Sequence, residues 1–235
     1  MWDNAPLLRG IANALLILSA LLMLYGAIHY TVHVPTLFPL ESVRLETVPQ
    51  RVSSEEVLRA ARKGIRGNLI TVDIEQVRQT MEKLPWVRSV NVRREFPNRL
   101  AIHMEEHQAL ARWNNSMLVN RQGEVFAAET EQELPGFVGP DGTSSEVAAR
   151  YTQFDEQLAK VDLHMVQISL SNRHAWQLHL NNGIVLELGR EDVQERLSRF
   201  VKVYPYSLPM EQGKFKYVDL RYRNGFAVGG LVKQG

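Results

Sequence analysis

The chain has no cysteine. That excludes disulfides and thiolate metal sites and is compatible with an extracytoplasmic address. It also lacks charge of either sign across a long stretch, with no Asp, Glu, Lys or Arg between Gly10 and Leu40. Overall, 27 basic residues nearly cancel 26 acidic ones. Nothing in this balance suggests nucleic-acid binding, which would call for a basic stripe. There is no low-complexity tract and no repeat of fixed period. Hydrolase signatures (G-x-S-x-G, S-x-x-K, H-E-x-x-H, a Cys-His pair) are absent too, so no catalytic residue and no cofactor or metal ligand is assigned.

The uncharged stretch predicts a membrane span. Residues 10–28 as a helix rise about 28 Å, close to a bilayer's hydrocarbon thickness. A cleavable signal peptide is the nearest alternative, but its apolar region is usually shorter and ends in a small-x-small site, whereas this run leads into Leu24-Tyr25-Gly26. With Arg9 before the run and no further Lys or Arg until Arg44, the positive-inside bias places residues 1–9 in the cytoplasm and the bulk on the far side of the membrane. Tyr25, His29, Tyr30 and His33 suit the far membrane interface. The i, i+4 spacing of His29 and His33 lacks a third ligand for a metal site.

After a stiff Pro35–Pro39 exit, residues 41–48 alternate as a first strand carrying Val43 and Leu45. Ser53 and Glu56 spell a capping box for a helix bearing Val57, Leu58, Ala61 and Ile65, closed by Gly64 and Gly67. Asp73 caps a second helix with Ile74, Val77, Met81 and Leu84, stopped by Pro85. Val90 and Val92, then Leu100, Ile102 and Met104, alternate on either side of a Phe96-Pro97-Asn98 turn. Two helices laid on a three-stranded sheet would bury both apolar stripes. The neighbouring Glu105, Glu106 and His107 read as a solvated strand end, not acid–base machinery.

The run LPWVRSVNVRREFPNRLAIHMEE resembles the POTRA module of the FtsQ/DivIB family of bacterial cell-division proteins, chiefly through Trp86-Val87 and Phe96-Pro97-Asn98-Arg99-Leu100. Gln108 departs from the family's usual proline.

From Arg112 the pattern becomes mostly β. Residues 117–120 and 125–128 flank Arg121-Gln122-Gly123 as a hairpin, while Leu134-Pro135-Gly136 and Gly139-Pro140-Asp141-Gly142 read as loops. Ser144 or Ser145 caps a helix with Val147, Tyr151, Phe154, Leu158 and Val161, and residues 165–170 form a strand. Trp176, Leu178 and Leu180 alternate against Ile184, Leu186 and Leu188 around Asn182-Gly183, the positive-φ dipeptide of a tight hairpin. Scattered His164, His174 and His179 make no zinc set. Glu191 or Asp192 starts a helix with Val193, Leu197, Phe200, Val201 and Tyr204 inward, ending before Pro205. Residues 215–222 and 226–230 are the closing strands. A last strand commonly lies at a sheet edge, with unpaired N–H and C=O groups open to another chain.

LVNRQGEVF, AWQLHLNNGIVLELGR and YVDLRYRNGFAVG are similar to the same family's β-rich second domain. The resemblance implies an α+β fold: a single N-terminal transmembrane helix, a POTRA module of two helices on a three-stranded sheet, then a mostly antiparallel β domain with flanking helices. It divides the chain into a cytoplasmic tail (1–9), a transmembrane helix (10–30), a POTRA domain (41–108) and a C-terminal β domain (109–235). It further implies a non-enzymatic scaffold of the cell inner membrane at the division septum, linking early and late division proteins. Its closing strand would bind FtsB, itself paired with FtsL, and its POTRA domain would meet other divisome proteins. On this resemblance the partner-binding residues are Arg173, Arg221, Tyr222, Asn224, Gly225, Phe226, Ala227, Val228 and Gly229. The plainer alternative is that Tyr222 and Phe226 cover their own sheet. Gly230 stands where some relatives carry a large aromatic. The rival functions are a membrane-tethered periplasmic hydrolase and a POTRA-type secretion factor.

Overall fold

The structure, a computed structural model, describes residues 5–34, 37–207, 215–223 and 225–230. The fold is α+β. The chain divides into two compact units, Met1–Glu106 and His107–Gly235.

Helix α1 (Ala5–His33) has 29 residues and buries none of them. An apolar helix with no polar face, whose apolar stretch is unburied among the described residues, fits a transmembrane helix. It is continuous through Arg9 at one end and His33 at the other. His29 and His33 stack with ring centroids 4.1 Å apart, and His33 Nδ1 bonds the His29 carbonyl at 2.8 Å.

The rest of the first unit comprises β1 (Ser42–Leu45), α2 (Ser54–Gly64), α3 (Ile74–Met81), β2 (Val87–Glu95) and β3 (Arg99–Glu106). The sheet order is β1-β3-β2, with β1 parallel and β2 antiparallel to the central β3. Both predicted caps form: Glu56 N–H donates to Ser53 Oγ while Ser53 N–H donates to the Glu56 carboxylate, and Gln76 N–H donates to Asp73 Oδ1. Val57, Ala61, Val77, Met81, Leu100 and Ile102 are fully buried between helices and sheet. Gly64 does more than end α2. A Cβ there would lie 2.8 Å from Val77 Cα, so the glycine lets α2 and α3 touch backbone to backbone. Asn68 was not singled out by the sequence, yet it is buried and fully bonded. Its Nδ2 donates to the carbonyls of Val32 (2.7 Å) and Val34 (3.3 Å), and its Oδ1 accepts the N–H groups of Ile70 and Thr71. The α2–α3 loop thus satisfies the Val32 carbonyl in the last turn of α1 and adds a bond to that of Val34, which also accepts Leu37 N–H.

The strand-end acids have structural jobs. Glu106 accepts the backbone N–H groups of Gln50, Arg51 and Val52, and Glu105 pairs with Arg88 at 2.8 Å.

The second unit is a mixed sheet in the order β12-β11-β10-β9-β8-β7-β4-β5-β6. Its strands are β4 (Ala109–Trp113), β5 (Met117–Asn120), β6 (Val125–Phe126), β7 (Gly136–Val138), β8 (Met165–Leu170), β9 (Trp176–Leu180), β10 (Val185–Gly189), β11 (Tyr217–Asp219) and β12 (Ala227–Gly229). Helices α4 (Ser144–Leu158) and α5 (Val193–Ser207) pack on it over Phe137, Phe154, Phe200, Leu158, Ile168 and Leu178, all fully buried.

Four local expectations are corrected. Gly136 is not in a loop; it opens β7, which lies parallel to both β4 and β8 with Phe137 in the core. Thr143, not Ser144 or Ser145, is the N-cap of α4, because the Ser144 hydroxyl donates to the Gly123 carbonyl at 2.7 Å. Pro205 lies inside α5, in its last turn, where the helix runs two residues past it without the bond its missing N–H would have made to the Val201 carbonyl. In the β9–β10 turn only Gly183 takes positive φ (+82°), whereas Asn114 and Asn115 both do so in the β4–β5 turn. The two-residue mirror turn is therefore at Asn114-Asn115, closed by Ser116 N–H on the Trp113 carbonyl.

Candidate partner-binding edge

The end of the second sheet is built outward from β10. Strand β11 runs parallel to β10 (Leu186↔Val218), and β12 returns antiparallel to β11 (Val218↔Val228), leaving β12 at the sheet's edge. Val218 and Leu220 are buried and Tyr217 is exposed, as alternation predicts. Asp219 breaks the pattern, since it is buried although charged. Arg221 turns back on it, Nε to Oδ1 at 2.8 Å and Nη2 to Oδ2 at 2.6 Å, while Arg221 N–H donates to Oδ1 at 3.0 Å. That fork holds the Asp219 carboxyl below its ordinary range, against the opposing effect of burial. The Arg221 guanidinium is thereby already engaged.

From there the chain bends, held from α5. Arg199 donates to the Tyr222 carbonyl (3.1 Å) and to the Arg223 carbonyl. This clamp was not foreseen, and no local signal in the sequence marks it. Tyr222 is 59% exposed, Gly225 is exposed, and Phe226 is half-buried against the core. Asn224 lies outside the described residues. Ala227 and Val228 are exposed on the edge strand. Gly229 sits under the Tyr217 ring, where a Cβ would come within 2.5 Å of it. Gly230 has φ +76°, a region that favours glycine over any aromatic.

Arg173 occupies the exposed β8–β9 turn, closed by Ser171 N–H on the Ala175 carbonyl and by Ala175 N–H on the Ser171 hydroxyl. The registers Leu170↔Trp176 and Trp176↔Gly189 place that turn at the end of the sheet where Gly189 neighbours Arg221 and where β12 begins. Two strands intervene, so Arg173 stands three strand spacings from β12, about 14 Å. Ala227, Val228 and Gly229 thus form the edge strand, Gly225 and Phe226 lead into it, Tyr222 stands in the bend after β11, and Arg221 is folded back on Asp219 with Arg173 apart.

Among the described residues no group of three His, Cys, Asp or Glu is arranged to hold a metal ion.

Two family models match the chain. One described as "POTRA domain, FtsQ-type" covers residues 38–107, and one described as "Cell division protein FtsQ/DivIB, C-terminal" covers residues 111–221, ending just before Tyr222. Among full-length relatives, the cell division protein FtsQ of Nitrosospira multiformis is 39% identical over 235 residues, spanning 98% of this chain and 99% of its own. That of Burkholderia pseudomallei is 36% identical, spanning 97% and 94%. FtsQ of Escherichia coli is 40% identical over 174 residues, 71% of this chain and 63% of the relative. Similar in both folded units and along nearly its whole length, the chain belongs to the FtsQ/DivIB family of cell division proteins.

Proposed function

We propose that this protein is a non-enzymatic divisome scaffold whose edge strand β12 captures FtsB, and with it FtsL, by strand addition. The observation that carries the reading is the edge itself. Ala227-Val228-Gly229 is uncharged, and among the described residues β12 pairs with β11 on one side only and carries no charge or bulge that would discourage pairing on the other. Tyr222 and Phe226 would supply apolar area beside the added strand, where aromatic anchors contribute most. Arg173 would meet an acidic group on a part of the partner beyond that strand.

In this reading α1 crosses the inner membrane with the short tail in the cytoplasm, following Arg9, and both folded units stand in the periplasm at the septum. The domain boundaries proposed from the sequence, 41–108 and 109–235, then separate a POTRA surface for other divisome proteins from the FtsB edge. The protein would so connect early and late members of the assembly.

The test is co-purification of the full chain in detergent with the periplasmic part of FtsB. Removing residues 222–235 should abolish capture. Tyr222→Asp, at an exposed position, should weaken it strongly without changing the melting temperature. Capture that survives both changes would show that the site lies elsewhere.

A further inference from the structure

The bonds between α1 and the α2–α3 loop fix that loop's height above the bilayer. Val32 is four residues past Ile28, where the apolar run ends, so its carbonyl lies about 6 Å beyond the hydrocarbon. The headgroup layer is roughly 5–8 Å deep on each side. Asn68, only 2% exposed, donates to that carbonyl at 2.7 Å and to the Val34 carbonyl at 3.3 Å. Leu69 N–H donates to the Phe38 carbonyl at 2.9 Å. Three bonds thus hold the loop at the level of the lipid phosphates. Tyr30 and Leu37, on either side of Val32 in sequence, are large and exposed, as suits the boundary between lipid and water.

Three cations gather within six residues of Asn68. Arg62 and Lys63 stand in the last turn of α2, and Arg66 follows its C-cap, Ile65. All three are exposed, and none forms an ion pair among the described residues. No acidic residue falls between Ala61 and Val72. The acids on either side are engaged: Glu41, which lines one hollow with Arg62, takes the Asn98 amide, and Asp73 caps α3. Helix α2 is polarised as well, with Glu55 and Glu56 in its first turn, away from the loop. The helix dipole accounts for cations in a last turn, but not for Arg66 beyond it.

We propose that the α2–α3 loop is a contact for anionic phospholipid, in which Arg62, Lys63 and Arg66 bind headgroup phosphates of the leaflet where α1 emerges. Arginine suits that partner because its planar fork meets two phosphate oxygens at once. An acidic polypeptide offers the same sign of charge. The three bonds to α1, however, put the cations where phosphate is already dense, which favours lipid. Such a contact sets which end of the first unit faces the bilayer. The inference rests on α1 spanning a membrane and holds for either direction of the span.

For the test, the full chain is reconstituted in nanodiscs of phosphatidylcholine, alone or mixed equally with phosphatidylglycerol. Amide exchange is followed at Ile70 and Thr71, whose N–H groups are held by Asn68 Oδ1. Phosphatidylglycerol should slow their exchange about tenfold in the parent at low salt, the effect of one to two surface cations, and much less at high salt. Arg62→Gln/Lys63→Gln/Arg66→Gln should abolish the slowing while leaving exchange in phosphatidylcholine as in the parent. Arg62→Lys/Arg66→Lys should retain it. No slowing in the parent, or slowing that survives the three glutamines, overturns the proposal. Equal slowing by polyglutamate or free glycerol phosphate added to phosphatidylcholine discs overturns it too, since the loop would then take a soluble anion. If nanodiscs of neither composition retain the chain, the span reading itself fails and the proposal falls with it.

Discussion

The two sheets of this protein end in very different strands. The first sheet's long edge, β2, carries Arg88, Arg93, Arg94 and Glu95. Arg88 is the extra residue of a bulge, opposite no partner between Val87↔Glu106 and Ser89↔Glu105, and it pairs with Glu105. Arg93 pairs with Glu46, and Arg94 donates to the carbonyls of Leu69, Ile70 and Val72. Charges and a bulge are the usual means of keeping an edge from recruiting strangers. The second sheet's edge, β12, has neither device in Ala227-Val228-Gly229. Among the described residues, one edge carries charges and a bulge and the other carries neither. On the proposed function, the contrast separates a self-contained module from one whose sheet a partner extends.

The most damaging test of the self-contained half is Gly64→Val. Its branched side chain would push α2 off the Val77 backbone, costing about 3 kcal/mol by overpacking. Thermal unfolding followed with and without excess FtsB should show a loss in the first unit that FtsB does not restore. By mass action, a ligand on β12 stabilises only what unfolds with its site. Restoration by FtsB would break the contrast.

Val228→Lys asks the converse of the open edge. At a position 52% exposed, a lysine should leave stability within about 0.5 kcal/mol. It should weaken FtsB capture about tenfold, since one edge charge imitates what β2 does naturally.

A smaller effect comes from the fork behind the edge. Asp219→Ala removes three bonds to Arg221, whose side chain is largely solvated, so the cost should be about 1 kcal/mol in denaturant unfolding of the second unit. The sign with pH follows from the direction of the shift. The folded-state value is depressed, so the contribution is fully present above the ordinary carboxylate pKa near 4. It is lost as pH falls from there through the folded value. In the alanine variant this component of acid sensitivity should vanish.

Much of this contrast was legible in residue order. Both caps, the α2 and α3 stripes and the Trp176–Leu188 hairpin rest on local periodicity, which a linear reading detects. What escaped it depends on contacts distant in sequence. Strand β7 has three residues, too few for a period, and exists because β4 and β8 flank it. Gly64 reads as a helix stop until Val77 is brought against it. Asn68 looks like a loop residue until the end of α1 reaches it. At the candidate site the Tyr217–Val218–Leu220 alternation was visible. The Arg199 clamp and the buried Asp219 were not, because α5 and the Arg221 turn-back create them.

The smallest expected effect probes the closed edge directly. In Arg88→Val/Arg93→Val the two ion pairs lost are solvent-exposed, with the Arg93 side chain 64% accessible, so stability should change by no more than about 0.5 kcal/mol. What should change is company. With valine in place of two of its four charges, β2 becomes a longer edge than β12 with a mostly apolar stretch at 90–93, and sedimentation of the detergent-solubilised chain should show concentration-dependent self-association beyond that of the parent. The bulge at residue 88 would still twist one end away, so pairing should start from residues 90–95. If the variant sediments as the parent does, charge is not what closes β2. The bulge, or cover by the neighbouring loops, would then be the operative difference between the two edges.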